Sequence, residues 1–442
     1  METTITAKLK LVTTPEQFRQ LRITQLAYRD ALNQTSLHAF THGKTSNSQR
    51  LHHDLYEETR ATYGLPSQMA CSVFRQVGAT YKGLWTKWYK NVEARKAGWT
   101  RKRFKGLDKP PRYVSPTLTY VYRRDYTLKA AGCVSILTLS GRIRVPYQGW
   151  SRHIAWLQQG AATRGAKLWY DRARHCFYLL ISLSIVSPDP TPTTLPQMAG
   201  IDVGQRYLAT VTTPQNHIQF FSGKQVRAKS DHYTRVQKRL QRKGTRSATR
   251  RRIAMKQRER RFKLSCNHTI AKQILDTHPH SLIGLEDLSG IRERTKGRKR
   301  RRKGKHLVPV SPRARKANRH ASKWAFAELR GFLAYKAALT GSCCISVDAD
   351  YTSQACPRCG YISKQNHPNH GLRFVCQHCG FSLHADLIGS RNICLRTLVV
   401  RQDWIATGQL SIAPDVTDRE AKTARLSRYA GLRWSLATSL LL

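Results

Sequence analysis

Two cysteine pairs, Cys356-Pro357-Arg358-Cys359 and Cys376-Gln377-His378-Cys379, stand with sixteen residues between them, and each is followed by a glycine, Gly360 and Gly380. Four thiolates at this spacing close a tetrahedron around zinc and leave no open position for water, so the expected site is structural rather than catalytic. A redox role for one pair would leave the matching second pair unexplained. Three acids carry a different chemistry. Asp202 lies in Gly200-Ile201-Asp202-Val203-Gly204, Glu286 ends Ile283-Gly284-Leu285-Glu286, and Asp386 follows His384-Ala385 just beyond the cysteines, at the start of a helix. A lone acid at a strand end is most often a cap. Three delivered from separate elements can converge on two divalent ions, expected to be magnesium, about 4 Å apart. Such a pair activates water on one side of a phosphodiester and stabilises the leaving oxygen on the other.

The rest of the chain is strongly basic. Of 442 residues, 77 are Lys or Arg and 26 Asp or Glu, a formal charge of +51. A surface so charged repels itself and calls for a polyanion, of which nucleic acid is the first candidate. Ribosomal and histone-like proteins share the charge but are usually much shorter and lack the acids. An acidic pocket in such a chain must hold cations, because substrate phosphates would otherwise avoid it. Arg235, Lys238, Arg239, Arg242, Lys243, Arg250 and Arg251 fall in a basic helical stretch, and Arg298, Lys299 and Arg300 in a segment with ten basic residues in fifteen, Ile291 to Lys305, expected to be a loop. Between Tyr81 and Lys105, Trp85, Trp88 and other rings alternate with nine Lys or Arg residues, a mixture suited to stacking on RNA or single-stranded DNA. Burial of Trp85 and Trp88 in a core explains them equally well.

Hydrophobic residues are 40% of the chain, enough for folded cores, and none of the apolar stretches approaches a membrane span. Met1 to Lys10 has no signal-peptide run, and the paired cysteines read as metal ligands in a reducing compartment. An intracellular location, cytoplasmic and associated with the nucleoid, is expected, with no membrane partner.

The elements that must position these groups fall in two halves. Ile5 to Leu11 alternates as a strand. Thr14-Pro15-Glu16-Gln17 starts a helix through a capping box, and Met69, Val73, Val77, Leu84 and Trp88 recur at helical spacing behind Pro66. From Tyr120 to Val186 several short alternating runs imply a small barrel or sandwich, making the helices an insertion between strands. Ser187 to Pro196, with four prolines, reads as a stiff linker. Beyond it, strands at Ala199–Val203, Leu208–Thr212, Ser281–Leu285 and Cys344–Val347 alternate with basic helices over Arg227 to Leu275, broken near Gly244, and an apolar helix that includes Trp324, so this half is α/β. Asp287 would point away from Glu286, while Asp348 and Asp350 are expected to cap or orient the cysteine ribbon. The tail after Val400 has no readable chemistry.

In order and spacing, Gly200–Gly204, Gly284-Leu285-Glu286-Asp287-Leu288, Tyr351-Thr352-Ser353-Gln354-Ala355-Cys356-Pro357-Arg358-Cys359-Gly360, Phe374-Val375-Cys376-Gln377-His378-Cys379-Gly380, His384-Ala385-Asp386 and Arg391-Asn392-Ile393 resemble the TnpB (OrfB) transposon protein family, relatives of the type V CRISPR effector nucleases. His384-Ala385-Asp386 departs from the family's frequent Asn-Ala-Asp but keeps the acid. The resemblance implies a multidomain α+β protein. A β-barrel wedge domain (1–12 and 110–187) would carry a helical recognition insertion (13–109). An RNase H-like (RuvC) α/β nuclease domain (197–350 and 381–400) would be interrupted by a zinc ribbon (351–380) and followed by a tail (401–442). It further implies that Asp202, Glu286 and Asp386 are the catalytic acids and that a guide RNA directs cleavage of target DNA beside a short motif. A DNA-joining transposase with the same acids, a non-enzymatic RNA- or DNA-binding protein with a zinc ribbon, and a type V CRISPR effector are the competing functions.

Overall fold

The computed structural model describes residues 2–130, 132–288, 300–303, 306–309, 311–312, 315, 319, 326–368, 372–415 and 417–434. Arg298, Lys299 and Trp324 lie outside the described residues. The chain divides into two compact units, Glu2–Val186 and Ser187–Leu442.

In the first unit, β1 (Glu2–Leu11) leads into α1 (Pro15–Thr41), α2 (Ser48–Tyr63) and α3 (Ser67–Lys96). Thr14 and Gln17 cap α1 reciprocally: the Gln17 N–H donates to Thr14 Oγ1 at 3.2 Å and the Thr14 N–H to Gln17 Oε1 at 3.1 Å. The chain then builds β2 (Leu118–Tyr120), β3 (Tyr126–Lys129), β4 (Cys133–Thr138), β5 (Gly141–Gln148), α4 (Ser151–Gln158), β6 (Ala162–Asp171) and β7 (Cys176–Val186). The strands form one antiparallel sheet in the order β2-β6-β7-β1-β5-β4-β3. Its ends curl together: the Tyr120 hydroxyl donates to Leu137 O at 3.0 Å and the Tyr126 hydroxyl to Arg164 O at 2.8 Å. A nearly closed barrel results, and the three long helices are inserted between its first two strands. Alternation in β1 sends Ala7, Leu9 and Leu11 into the core. Trp85 and Trp88 are half-buried against that core, and the Trp85 indole donates to Lys44 O at 2.9 Å. The open rings nearby are Tyr89 and Trp99, the latter 82% exposed.

The second unit holds a mixed sheet of β8 (Gln197–Asp202), β9 (Tyr207–Thr212), β10 (Ile218–Ser222), β11 (Ser281–Glu286) and β14 (Cys343–Val347), in the order β10-β9-β8-β11-β14. β10, β9 and β8 are antiparallel, whereas β8, β11 and β14 run parallel. Between β10 and β11 run the basic helices α5 (Lys224–Lys243) and α6 (Arg246–Thr277), with Gly244 in the left-handed conformation between them. α6 and the apolar α7 (Phe326–Leu339) cover one face, packing Ile270, Ile274, Leu329 and Leu333 on Ala199, Ile201, Ile283 and Leu285. α8 (Ala385–Thr407) covers the other.

The packing of α8 depends on glycine. Gly200 and Gly284 are register partners on adjacent strands. A side chain on Gly200 would collide with the α8 backbone at Ser390 and Cys394, and one on Gly284 with Thr397. Because the Gly200 obstruction is backbone, Gly200→Ala should cost about 3 kcal/mol, the upper end for overpacking. A denaturation midpoint equal to wild type would contradict this close approach.

Two expectations change. Arg300–Lys303 (β12) does not lie in a loop but pairs antiparallel with His306–Pro309 (β13). Ser187 to Pro196, the stiff linker of the sequence, opens the second unit and is fastened to it: the buried Arg401 donates to Leu195 O and, at 3.3 Å, to Pro192 O, and Leu195 is buried. The segment after Val400 is not a tail apart. α8 continues to Thr407, burying Arg401 and Trp404, and α9 (Arg419–Ala430) docks through Arg425 on buried Asp348 at 2.9 Å and Lys422 on Asp350 at 2.9 Å. These two acids therefore hold the C-terminal helix, not the ribbon.

Candidate active site and metal centre

Strand alternation decides where the acids face. Gly200 and Asp202 on β8, and Gly284 and Glu286 on β11, are two residues apart and so lie on one side of the sheet, the side beneath α8. Asp386 sits in the first turn of α8, on the same stripe as Gly389, Ile393 and Thr397. Gly389 keeps this stripe open: a Cβ there would lie 2.9 Å from Asp202 Oδ2. Asp202 is thereby brought beside both other acids. Its pKa is raised well above the usual carboxylate range, by burial and by the negative charges of Glu286 and Asp386. Burial raises Asp386 as well, against nearby His384, Arg206 and His367. Burial also raises Glu286, against the Thr352 hydroxyl that donates to Glu286 Oε1 and the Arg396 guanidinium.

Asp386 Oδ2 is buried with no hydrogen-bond partner. Crowded, half-buried acids and an orphaned oxygen fit a site completed by cations, since the alternative is to retain protons. The four cysteine sulfurs lie within 4.8 Å of one another, close enough to cage a single ion.

The neighbouring acid Asp287 turns to the opposite face, where Arg330 of α7 pairs with it at 3.5 Å. His384 is the N-cap of α8, its Nδ1 accepting from the Asp386 N–H at 3.3 Å, and its ring packs edge-on against Tyr207 and Phe220.

In the ribbon the two knuckles are built alike. The Gly360 N–H donates to Cys356 O at 2.8 Å and the Gly380 N–H to Cys376 O at 3.0 Å, with both glycines at positive φ. Buried Asn366 ties the knuckles together, donating to Gln354 O and Tyr361 O and accepting from the Gln377 N–H at 2.9 Å. Cys356 and Cys379 sulfurs are 3.8 Å apart, and Cys359 and Cys376 sulfurs 3.5 Å. Burial pushes the Cys376 thiol up, but the N–H groups of Cys379 and His378 outweigh it and leave it at about 7. An all-sulfur tetrad of this kind suits zinc. The C-terminal segment touches the first knuckle, the Trp434 N–H donating to Pro357 O at 2.7 Å.

The basic residues expected to meet phosphates on α5 and α6, Arg235, Lys238, Arg239, Arg242, Lys243, Arg250 and Arg251, line these helices, and all seven are exposed. Their charge is unbalanced because Glu259 is spent inside the helix pair, on Ser230 at 2.9 Å and Lys263 at 3.1 Å. A groove of about 700 Å³ between these helices is lined by Lys229, His232, Tyr233, Arg239, Arg251 and Arg258, among others. Arg300 lies in β12, with its side chain outside the described residues. Among the described residues, no helix is long and apolar enough to cross a membrane.

Thr352, Asn392 and Arg396 stand within or beside the motifs without a chemistry that marks their roles in sequence. Asn392 and Arg396 are four apart on α8, the spacing of two side chains that share a helical face, and this was the available signal.

Residues 182–290 match the family OrfB_IS605, described as "Probable transposase", and residues 326–393 match the Cas12f1-like TNB domain. The chain is 27% identical over 266 residues to InsQ of Escherichia coli strain K12, provisionally named an RNA-guided DNA endonuclease, covering 58% of this chain and 61% of InsQ. It is 28% identical over 137 residues to the CRISPR-associated endodeoxyribonuclease Cas12f1 of Sulfoacidibacillus thermotolerans, covering 30% of this chain and 27% of that protein. The chain thus spans less than two thirds of these relatives. Among solved structures, the mini-RNA-guided endonuclease CRISPR-Cas_phi3 aligns with a TM-score of 0.47 at 12% identity, over 90% of this chain and 93% of that one. A Cas12f1–sgRNA–target DNA complex aligns with a TM-score of 0.35 at 14% identity, over 89% and 99%.

Proposed function

The chain belongs to the OrfB (TnpB) transposon-protein family and carries a Cas12f1-like TNB zinc domain, and from that premise we propose that it is an RNA-guided, magnesium-dependent DNA endonuclease with a RuvC-type site formed by Asp202, Glu286 and Asp386. The observation that carries the proposal is the convergence of these acids: two end adjacent parallel strands on one face, and the third opens the helix laid across that face. The mixed sheet supports an RNase H-like core.

When bound there, magnesium supplies charge stabilisation to the attacking and leaving oxygens of a phosphodiester. The chain's part is to hold its ligands. Asp202, flanked by both other acids, would hold the magnesium together with Glu286 and Asp386, and Gly389 leaves the space between helix and strand clear. The four cysteines would hold a structural zinc and so fix the ribbon between Glu286 and Asp386 in sequence.

A guide RNA and a target DNA are the proposed partners, and the exposed cations of α5 and α6 the proposed phosphate-binding groups. Replacing Arg235, Arg239, Arg242, Arg250 and Arg251 by alanine should make the log–log dependence of binding on salt shallower, by roughly 0.7 to 0.9 for each phosphate that is no longer neutralised. An unchanged slope would place the nucleic acid elsewhere. The nuclease itself is tested by purifying the chain, sequencing the RNA that accompanies it, and assaying magnesium-dependent cleavage of matching DNA. Absence of both RNA and cleavage would overturn the proposal.

A further inference from the structure

Resting on that proposed nuclease, we infer that Thr352 is a positioning residue that fixes the Glu286 carboxylate, and that α8 holds Thr352 in place through Asn392. Thr352 lies four residues before the first ribbon cysteine, in the segment joining β14 to the ribbon, and is 3% exposed. Its hydroxyl has two acceptors in reach, Glu286 Oε1 and, at 3.2 Å, Ala349 O. A hydroxyl has one proton to give, and the nearer acceptor, the carboxylate, receives it. Glu286 Oε1 is thereby committed to the threonine, which sets the orientation in which Oε2 is offered to a cation.

The segment is unusually constrained for a connection. Tyr351 stands at φ 63°, where side chains other than glycine are rarely found, and turns the chain so that Thr352 faces inward while Tyr351 stays 45% exposed. Asn392 of α8 donates to Thr352 O at 2.7 Å and to Ala355 O at 2.9 Å. One turn further along α8, buried Arg396 donates to Asp348 O and, at 2.6 Å, to Asp350 O. Tyr429 of α9 stacks on the Arg396 guanidinium, 4.5 Å from ring to cation. The helix that delivers Asp386 thus also grips the loop that tethers Glu286, so the two acids are set against each other by one rigid element. Partners that orient a ligating group typically matter by tenfold to a hundredfold in metal affinity or activity.

The test uses the full chain with its bound RNA and compares Thr352→Val, Thr352→Ala and Thr352→Ser. The magnesium concentration giving half-maximal cleavage should rise by roughly tenfold or more in Val and Ala, with the rate largely recovered at saturating magnesium. Ser, which keeps the hydroxyl, should stay within about threefold of wild type. Binding of manganese followed by electron paramagnetic resonance should weaken in parallel without reference to turnover, and zinc content should be the same in all four proteins. Wild-type magnesium dependence in both Val and Ala, or a Ser variant as impaired as Ala, would overturn the role of the hydroxyl. The underlying nuclease proposal fails separately, if Asp202→Ala cleaves like wild type.

Discussion

Asp202→Ala, Glu286→Ala and Asp386→Ala are each expected to reduce DNA cleavage by about three orders of magnitude, as follows if losing one metal position removes about 4 kcal/mol of transition-state stabilisation. The three acids converge on one face, and Asp202 is flanked by both of the others. On the proposed assignment, no single replacement would leave a pair able to hold two cations. RNA and target binding should persist, because they rest on exposed cations and on base pairing. Asp287→Ala is the control. Its carboxylate points to the α7 side, at Arg330, and its loss should leave cleavage within a few fold of wild type. Cleavage rates measured with magnesium, alongside target binding by gel shift, separate these outcomes. Normal cleavage by Asp386→Ala together with a dead Asp287→Ala would mean that the wrong acids have been assigned.

Loss of the ribbon metal should have the next largest effect. Zinc in a four-thiolate site contributes on the order of 10 kcal/mol or more of folding free energy to the segment it closes. Among the described residues the ribbon's apolar support is small: Cys356, Phe374 and Cys376 pack on Ile388 of α8, and its sheet is the three-residue pair β15 (Arg373–Val375) and β16 (Ser382–His384), with Asn366 linking the knuckles. The wild-type chain is expected to contain about one zinc, and Cys376→Ser none. In that variant, protease should cut between 356 and 380 while Glu2–Val186 stays intact. Cleavage should fall too, since Thr352 and Asp386 flank the ribbon on either side. Full zinc occupancy in Cys376→Ser by elemental analysis would contradict the tetrad.

What could be read from the chain beforehand was what depends on neighbours in sequence. The capping box of Thr14 and Gln17, the break at Gly244 and the paired cysteine knuckles each require a few adjacent residues of defined chemistry. Period-two alternation in β8 and β11 likewise tells which acids share a face. What was not legible depends on pairs far apart. Arg401 fastens the proline-rich Ser187–Pro196 segment across two hundred residues of chain, and Arg425 reaches back to Asp348. Neither guanidinium has a local signature that distinguishes it from the many arginines facing solvent. Gly200 and Gly284 occupy strand centres, where glycine weakens a strand, and their purpose emerges only once α8 lies across them. Trp85 shows the same limit: it lies in a stretch rich in cations, yet its indole hydrogen-bonds Lys44 O and packs on the helical core.

The central claim, cleavage directed by RNA, is tested most directly by exchanging the guide. The purified chain would be loaded with either of two RNAs that differ only in the segment complementary to DNA, and each complex offered both matching targets with magnesium. Cleavage is expected to follow the guide, each complex cutting its own target and sparing the other, with neither cutting in EDTA. Cutting of both targets regardless of the RNA, or joining of DNA ends in place of hydrolysis, would contradict it.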